Sequence, residues 1–233
     1  MKIGILQCDD VQKQLQPKHG NYPEMFQELF LAEDALCEFQ FYRVLDGIFP
    51  QTTHECDAWL ITGSRYSAYD ALPWIPALKK FVQRLYQEKR KLIGICFGHQ
   101  VMAEALGGKV TLSEKGWGVC MSFNKVCTHK HWMEPAREDF NLLVSHQDQV
   151  TTLPADAQIL AGSDFCPNYM IQYGDHFLSI QGHPEFSPTY AKELMLTRQD
   201  RIPADRIGEG LESLSYAPDK TLAAQWLLRF MSR

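Results

Sequence analysis

The sequence has no block of basic residues, no C-x-x-C pair and no apolar run long enough to cross a membrane as a helix. Each absence excludes something. Without a basic patch, a nucleic-acid or membrane-surface partner has no electrostatic footprint, and the 28 acidic and 23 basic residues leave only a mild net charge of -5. The apolar opening of MKIGILQCDD stops at Asp9 and Asp10, too short for a secretory leader, so a cytoplasmic location is expected. The seven cysteines are odd in number and irregularly spaced, which argues against a disulfide framework and for reduced, mostly buried thiols. His129 and His131 sit in the polar stretch THKHWMEP with no acid or cysteine spaced to complete a metal set, so no metal is expected. No repeat, low-complexity tract or Gly/Pro/Ser-rich linker divides the chain. One domain over residues 1–233 is expected, with a helical tail from about 200 to 233.

What is present is an alternation of strand-like and helix-like patterns. Lys2 to Cys8, Phe39 to Leu45, Ala58 to Thr62 and Lys91 to Cys96 read as strands. Tyr22 to Cys37 reads as a helix with Met25, Phe26, Leu29, Phe30 and Leu36 on one stripe. Pro73 to Glu88 is a second, with Trp74, Ile75, Leu78, Phe81, Val82 and Leu85 at helical spacing; Phe97 to Leu106 is a third, stopped at Gly107-Gly108. Short connections between such elements imply an α/β fold, a mostly parallel sheet with helices on both faces. The runs at Trp117–Val126, Phe140–Val144, Gln158–Ala161, Tyr169–Tyr173 and Phe177–Gln181 are short and turn-separated, and predict an antiparallel extension of the same sheet. Ser187-Pro188 reads as a cap and helix start, and Leu222, Trp226, Leu227 and Phe230 as the stripe of a last helix.

The chemistry centres on KLIGICFGHQ, residues 91 to 100. Ligands in parallel α/β sheets bind at the carboxyl ends of the strands, where Cys96 falls. A side chain on a tight strand-to-helix turn is pushed outward, and small residues two positions either side relieve the crowding. G-x-C-x-G is thus the thiol version of the nucleophile elbow, and the helix that follows presents its positive end to the sulfur. The competing reading is a buried cysteine at a crowded turn. A base is offered by His183 in FLSIQGHPEF, where a strand-like run ends. Pro184 disfavours helix at His183 and predicts an extended segment, which puts His183 and Glu185 on one side. That supplies base and orienter in a Cys-His-Glu arrangement. His99, three residues past Cys96, is expected to pack sideways. The stretch SHQD, Ser145 to Asp148, reads on its own as a polar loop.

In this order, GICFGHQ, SHQD and GHPEF resemble the class I (triad-type) glutamine amidotransferases, most closely the glutaminase domain of GMP synthetase and its stand-alone relatives. The resemblance runs from Met1 to about Thr197; CDAWLITGSR, LPWIP, GWGV and AGSDFCPN are similar to the stand-alone branch. It implies a flavodoxin-like sheet with an antiparallel extension, no cofactor, and release of ammonia from glutamine or another γ-glutamyl compound through a γ-glutamyl thioester. It implies Cys96 as nucleophile, His183 as general base and acid, and Glu185 as its partner. The backbone N–H groups of Phe97 and Gly63 would form the oxyanion hole. Gln100 would contact the substrate, and Ser145, His146, Gln147 and Asp148 would hold its amino and carboxylate groups, mainly through backbone.

Two departures stand out. The family commonly carries a Gly-Gly-Pro or Gly-Pro-Gly run at the oxyanion loop, where this chain has Thr62-Gly63-Ser64-Arg65-Tyr66, so Arg65 and Tyr66 could narrow or recharge the pocket mouth. Gln147 stands where GMP synthetase has glycine. The S-G-G-x-D-S phosphate loop of GMP synthetase is also missing. An ammonia-transferring role would therefore call for a separate synthetase or acceptor subunit; a stand-alone γ-glutamyl peptide hydrolase and a non-catalytic binding or regulatory protein are the alternatives.

Overall fold

The computed structural model describes residues 1–232. In chain order the elements are β1 (Lys2–Gln7), α1 (Gln16–His19), α2 (Tyr22–Leu31), β2 (Glu38–Arg43), β3 (Ala58–Ile61), α3 (Trp74–Gln87), β4 (Lys91–Ile95) and α4 (Phe97–Ala105). There follow β5 (Lys109–Leu112), β6 (Gly118–Ser122), β7 (Lys125–Val126), β8 (Leu142–His146), β9 (Asp148–Thr152), β10 (Ala157–Gly162), β11 (Met170–Tyr173) and β12 (Phe177–Ile180). The helices α5 (Pro188–Leu196), α6 (Ala204–Ser213) and α7 (Lys220–Met231) come last.

Eight strands form one sheet in the order β2-β1-β3-β4-β12-β11-β10-β7. The first five run parallel, and β11, β10 and β7 extend the sheet antiparallel. Alternate residues of each parallel strand feed opposite faces, as the period of two requires. Ile3, Ile5, Leu60, Ile93, Ile95, Leu178 and Ile180 pack with Phe26, Phe30, Trp226 and Phe230 of α2 and α7. Leu6, Trp59, Ile61, Leu92 and Phe177 pack with Leu78, Phe81, Val82 and Val101 of α3 and α4. The six apolar positions read for the Pro73–Glu88 helix are all buried, each worth about 1.5–3 kcal/mol of burial. Pro73 stands at the N-cap position of that helix without a capping bond, and Ser187 caps α5 by accepting from the Tyr190 N–H at 3.1 Å.

Three expectations need correction. The helix from Tyr22 ends at Leu31, not Cys37: the Glu33 and Asp34 N–H groups turn back onto the Phe30 carbonyl, and Leu36 is 82% exposed, off the apolar stripe. The run Trp117–Val126 is two strands, and only β7 joins the large sheet. β6 instead pairs antiparallel with β8 in a separate two-stranded sheet, which removes Phe140–Val144 from the extension as well. α5 and α6 cover that small sheet, through Met121, Leu143, Tyr190 and Leu194 and through Val119, Met195 and Ile202. This layer forms one wall of the site. The pairing of β5 with β9 was not anticipated from the sequence. Among the described residues, no helix is long and apolar enough to cross a membrane.

Candidate active site

The strands β4 and β12 are hydrogen-bonded neighbours, with Ile95 opposite Ile180. Cys96 follows the first and His183 the second, so the sheet itself brings them to one edge. The Cys96 N–H donates to the Ile180 carbonyl at 2.8 Å. At Cys96 the backbone turns through φ 52°, a region that side-chain-bearing residues rarely occupy, and α4 begins at the next residue. The flanking glycines have a steric cause. A Cβ on Gly94 would lie 2.6 Å from the Gly98 backbone and 2.4 Å from Met102 Sδ; one on Gly98 would lie 2.6 Å from the Ile61 carbonyl oxygen. The turn closes onto itself and onto the end of β3, leaving no room for a side chain at either position.

His183 is held by an antiparallel bridge, its N–H donating to the Leu143 carbonyl at 2.7 Å. Its ring stacks on Phe186 at 3.8 Å between centroids. Imidazole Nδ1 donates to Glu185 Oε1 at 2.7 Å, with both side chains buried. The expected pair therefore meets, but by another route. The chain does not stay extended past Pro184; it turns, and the Phe186 N–H returns to the His183 carbonyl at 3.4 Å. Burial disfavours a charged imidazole, but the Glu185 carboxylate and the Cys96 sulfur outweigh it and raise the His183 pKa above the ordinary histidine value. With Nδ1 committed to Glu185, Nε2 is left for proton exchange.

A cavity of about 200 Å³ opens beside Cys96. Gln100 and the Ser145–Asp148 stretch all line it. Gln100 Nε2 donates to the Asp148 carbonyl at 2.9 Å and to Gln181 Oε1 at 3.1 Å, tying α4 to the start of β9. SHQD is the junction of β8 and β9 and not a free loop. The Asp148 carboxylate accepts from Ser67 Oγ at 2.5 Å and Tyr69 OH at 3.0 Å. His146 is buried, with Nδ1 3.0 Å from the Asp148 carbonyl, and burial together with the nearby His183 lowers its pKa to about 4. His99 does pack sideways: its Nδ1 lies 2.8 Å from Ser179 Oγ, and burial pushes its pKa down to about 3. His129 and His131 are exposed, and no group of metal-ligating side chains occurs among the described residues.

Gly63 follows β3 directly against the His183 ring; a Cβ there would lie 2.7 Å from Cε1. The divergent loop after it is anchored to the end of β1. Ser64 Oγ donates to the Cys8 carbonyl at 3.1 Å, and the Arg65 N–H and guanidinium both bond Asp9 at 2.8 Å. Arg65 thus brings little free charge to the pocket mouth. The sequence reading missed Arg198 and Arg201, which also line the cavity and lie between α5 and α6. In RQDR they look like solvated charges, and only the packing of α5 on the small sheet brings them to the site.

Residues 37–200 match the family model for glutamine amidotransferase class-I. Gamma-glutamyl peptidase 3 of Arabidopsis thaliana is 33% identical to this chain over 192 residues, 79% of this chain and 75% of that one. A glutamine-hydrolyzing GMP synthase of Azoarcus sp. is 29% identical over 151 residues, 60% of this chain but 27% of that one. The crystal structure of a glutamine amidotransferase from Thermotoga maritima superposes with a TM-score of 0.75 at 18% identity, over 99% of this chain and 96% of that one. A family match over more than half its length, on a mostly parallel sheet shared with a solved member, means that the chain belongs to the class-I glutamine amidotransferases.

Proposed function

We propose that the protein hydrolyses the amide of a γ-glutamyl compound, with glutamine as the simplest case, through a γ-glutamyl thioester on Cys96. The observation that carries this reading is the buried 2.7 Å bond between His183 and Glu185 at the end of β12, next to the strand that delivers Cys96. In the first half-reaction the Cys96 sulfur attacks the γ-carbonyl carbon and its proton passes to His183 Nε2. The first N–H of α4, on Phe97, has no partner within the helix and supports the oxyanion together with the Gly63 N–H. Collapse breaks the C–N bond, and His183 protonates the departing nitrogen. In the second half, water gives a proton to His183, attacks the thioester and releases glutamate with the free thiol. Glu185 holds the imidazole in the tautomer both steps need. Gln100 and the backbone of Ser145 to Asp148 seat the glutamyl end.

Similarity to a gamma-glutamyl peptidase over 75% of that protein favours action on γ-glutamyl peptides by the isolated chain. Similarity to a GMP synthase supports the rival reading, in which ammonia goes to a separate synthetase subunit. The chemistry is tested with an electrophilic glutamine analogue and intact-mass measurement. One adduct on the wild type and none on Cys96→Ala is expected; an adduct that persists on Cys96→Ala rejects the assignment. Glutamate release from glutamine and from γ-glutamyl dipeptides by the purified chain then separates the two substrates.

A further inference from the structure

A second cavity of about 170 Å³ adjoins the first and shares Arg65, Arg198 and Arg201 with it. His183 does not line it, but two ring contacts connect its wall to the imidazole. Its wall includes Tyr190, which packs edge-on against Phe186, the ring stacked on His183. The nitrogen-bearing half of a γ-glutamyl peptide continues beyond the amide nitrogen and needs a space of this kind next to the reacting cavity. Ammonia needs no such space.

The charges lining the second cavity do not cancel. Arg65 is matched by Asp9, and Asp10 is matched by Arg43 at 2.9 Å. Arg198 and Arg201 have no carboxylate within ion-pair distance among the described residues. Arg198 is half-buried: one Nη donates to Ser145 Oγ at 2.7 Å, the guanidinium stacks over Trp117 at 5.7 Å, and its Nε–H, itself out of solvent, finds no acceptor. A guanidinium partly withdrawn from water, with no anion beside it and an unspent donor, is poised for a ligand that supplies the missing charge. Its planar fork suits a carboxylate.

Building on the reading above, we propose that Arg198, assisted by Arg201, binds a carboxylate on the leaving half of the substrate, so that the enzyme selects γ-glutamyl peptides ending in a free carboxylate. The glutamyl half is common to every substrate and sits toward Gln100 and Asp148; the leaving half extends past His183 into the second cavity.

Three probes test this: γ-L-glutamyl-L-alanine, its C-terminal amide, and L-glutamine. Only the first has a leaving-side carboxylate. The wild type is expected to prefer the acid over its amide by at least about tenfold in kcat/KM. Arg198→Met should lose about 30-fold on the acid, mostly in KM, and less than about threefold on the other two; Arg198→Lys should recover part of the loss. An equal loss on all three overturns the proposal, because Arg198 would then serve the glutamyl end or the fold. A wild type indifferent to amidation overturns it too. Calorimetry on Cys96→Ala separates subsite from chemistry. Tighter binding of the acid than of the amide, abolished by Arg198→Met, supports the subsite whether or not turnover is seen, and equal binding rejects it. Failure of Cys96 labelling would reject the thioester reading instead.

Discussion

Gly63 and His183 are in direct contact: no side chain fits at position 63 without meeting the imidazole, since a Cβ there would stand 2.7 Å from Cε1. Gly63→Ala should therefore displace a ring already clamped between Phe186 and Glu185. Misplacement of about 1 Å can cost about a hundredfold. We expect glutamate release to fall by about that factor with little change in Tm; near-normal turnover in Gly63→Ala would show that the ring has room to retreat.

Glu185→Gln leaves His183 buried without its carboxylate. The rate of glutamate release should drop about 10- to 100-fold, less than the complete loss expected of Cys96→Ala. Stability should respond to pH as well. The folded pKa of His183 is raised, so its contribution is fully present below the unfolded value of about 6.5 and is lost as pH rises through the folded value. His99 and His146 act with the opposite sign: their folded pKa values are lowered to about 3 and about 4, and their contribution is lost as pH falls from about 6.5 toward those values. Thermal melts from pH 4 to 10 should show both limbs in the wild type, and Glu185→Gln should flatten only the alkaline one.

The two glycines framing Cys96 should fail structurally. Gly94→Ala must push against the Gly98 backbone, and Gly98→Ala against the Ile61 carbonyl. Overpacking of this kind costs about 1–3 kcal/mol or more. At about 2–4 °C per kcal/mol for a chain of this size, either variant should melt about 2–12 °C lower. A melting point unchanged by Gly94→Ala would count against the closed turn.

Ser67 and Tyr69 both donate to Asp148, which joins the loop after β3 to the start of β9 across the cavity. Removing one hydroxyl, in Ser67→Ala or Tyr69→Phe, should loosen that strap. A rise of about two- to tenfold in KM with kcat nearly kept is expected, in line with about 0.5–1.5 kcal/mol for a hydrogen bond. Initial-rate measurements on a γ-glutamyl dipeptide decide it; a fall in kcat at constant KM would place the hydroxyls elsewhere in the cycle.

The parallel half of the sheet was legible in the sequence because its strands are short, apolar and separated by strongly periodic helices, α3 above all. Cys96 and His183 were legible as strand-end residues for the same reason. The small sheet was not. Trp117–Val126 and Phe140–Val144 show the same local pattern whichever partner they take, and only the cover from α5 and α6 decides it. Leu36 misled because its spacing fits the stripe while the capping contacts that end α2 at Leu31 are spread over several residues. Arg198 and Arg201 were invisible for a related reason: what marks them is the carboxylate they lack, and an absent partner leaves no trace in a one-dimensional string.

The partnership of Ile95 with Ile180 has a consequence for how such a protein can diversify. Cys96 and His183 are spaced by a backbone ladder, not by the side chains around them. Other walls of the cavity belong to separate segments, the loop from Ser64 to Tyr69 and the turn carrying Arg198 and Arg201. Drift in those segments can re-aim the enzyme toward a new leaving group while the reacting centre stays in register, which is the modularity that lets one chemistry spread across many substrates.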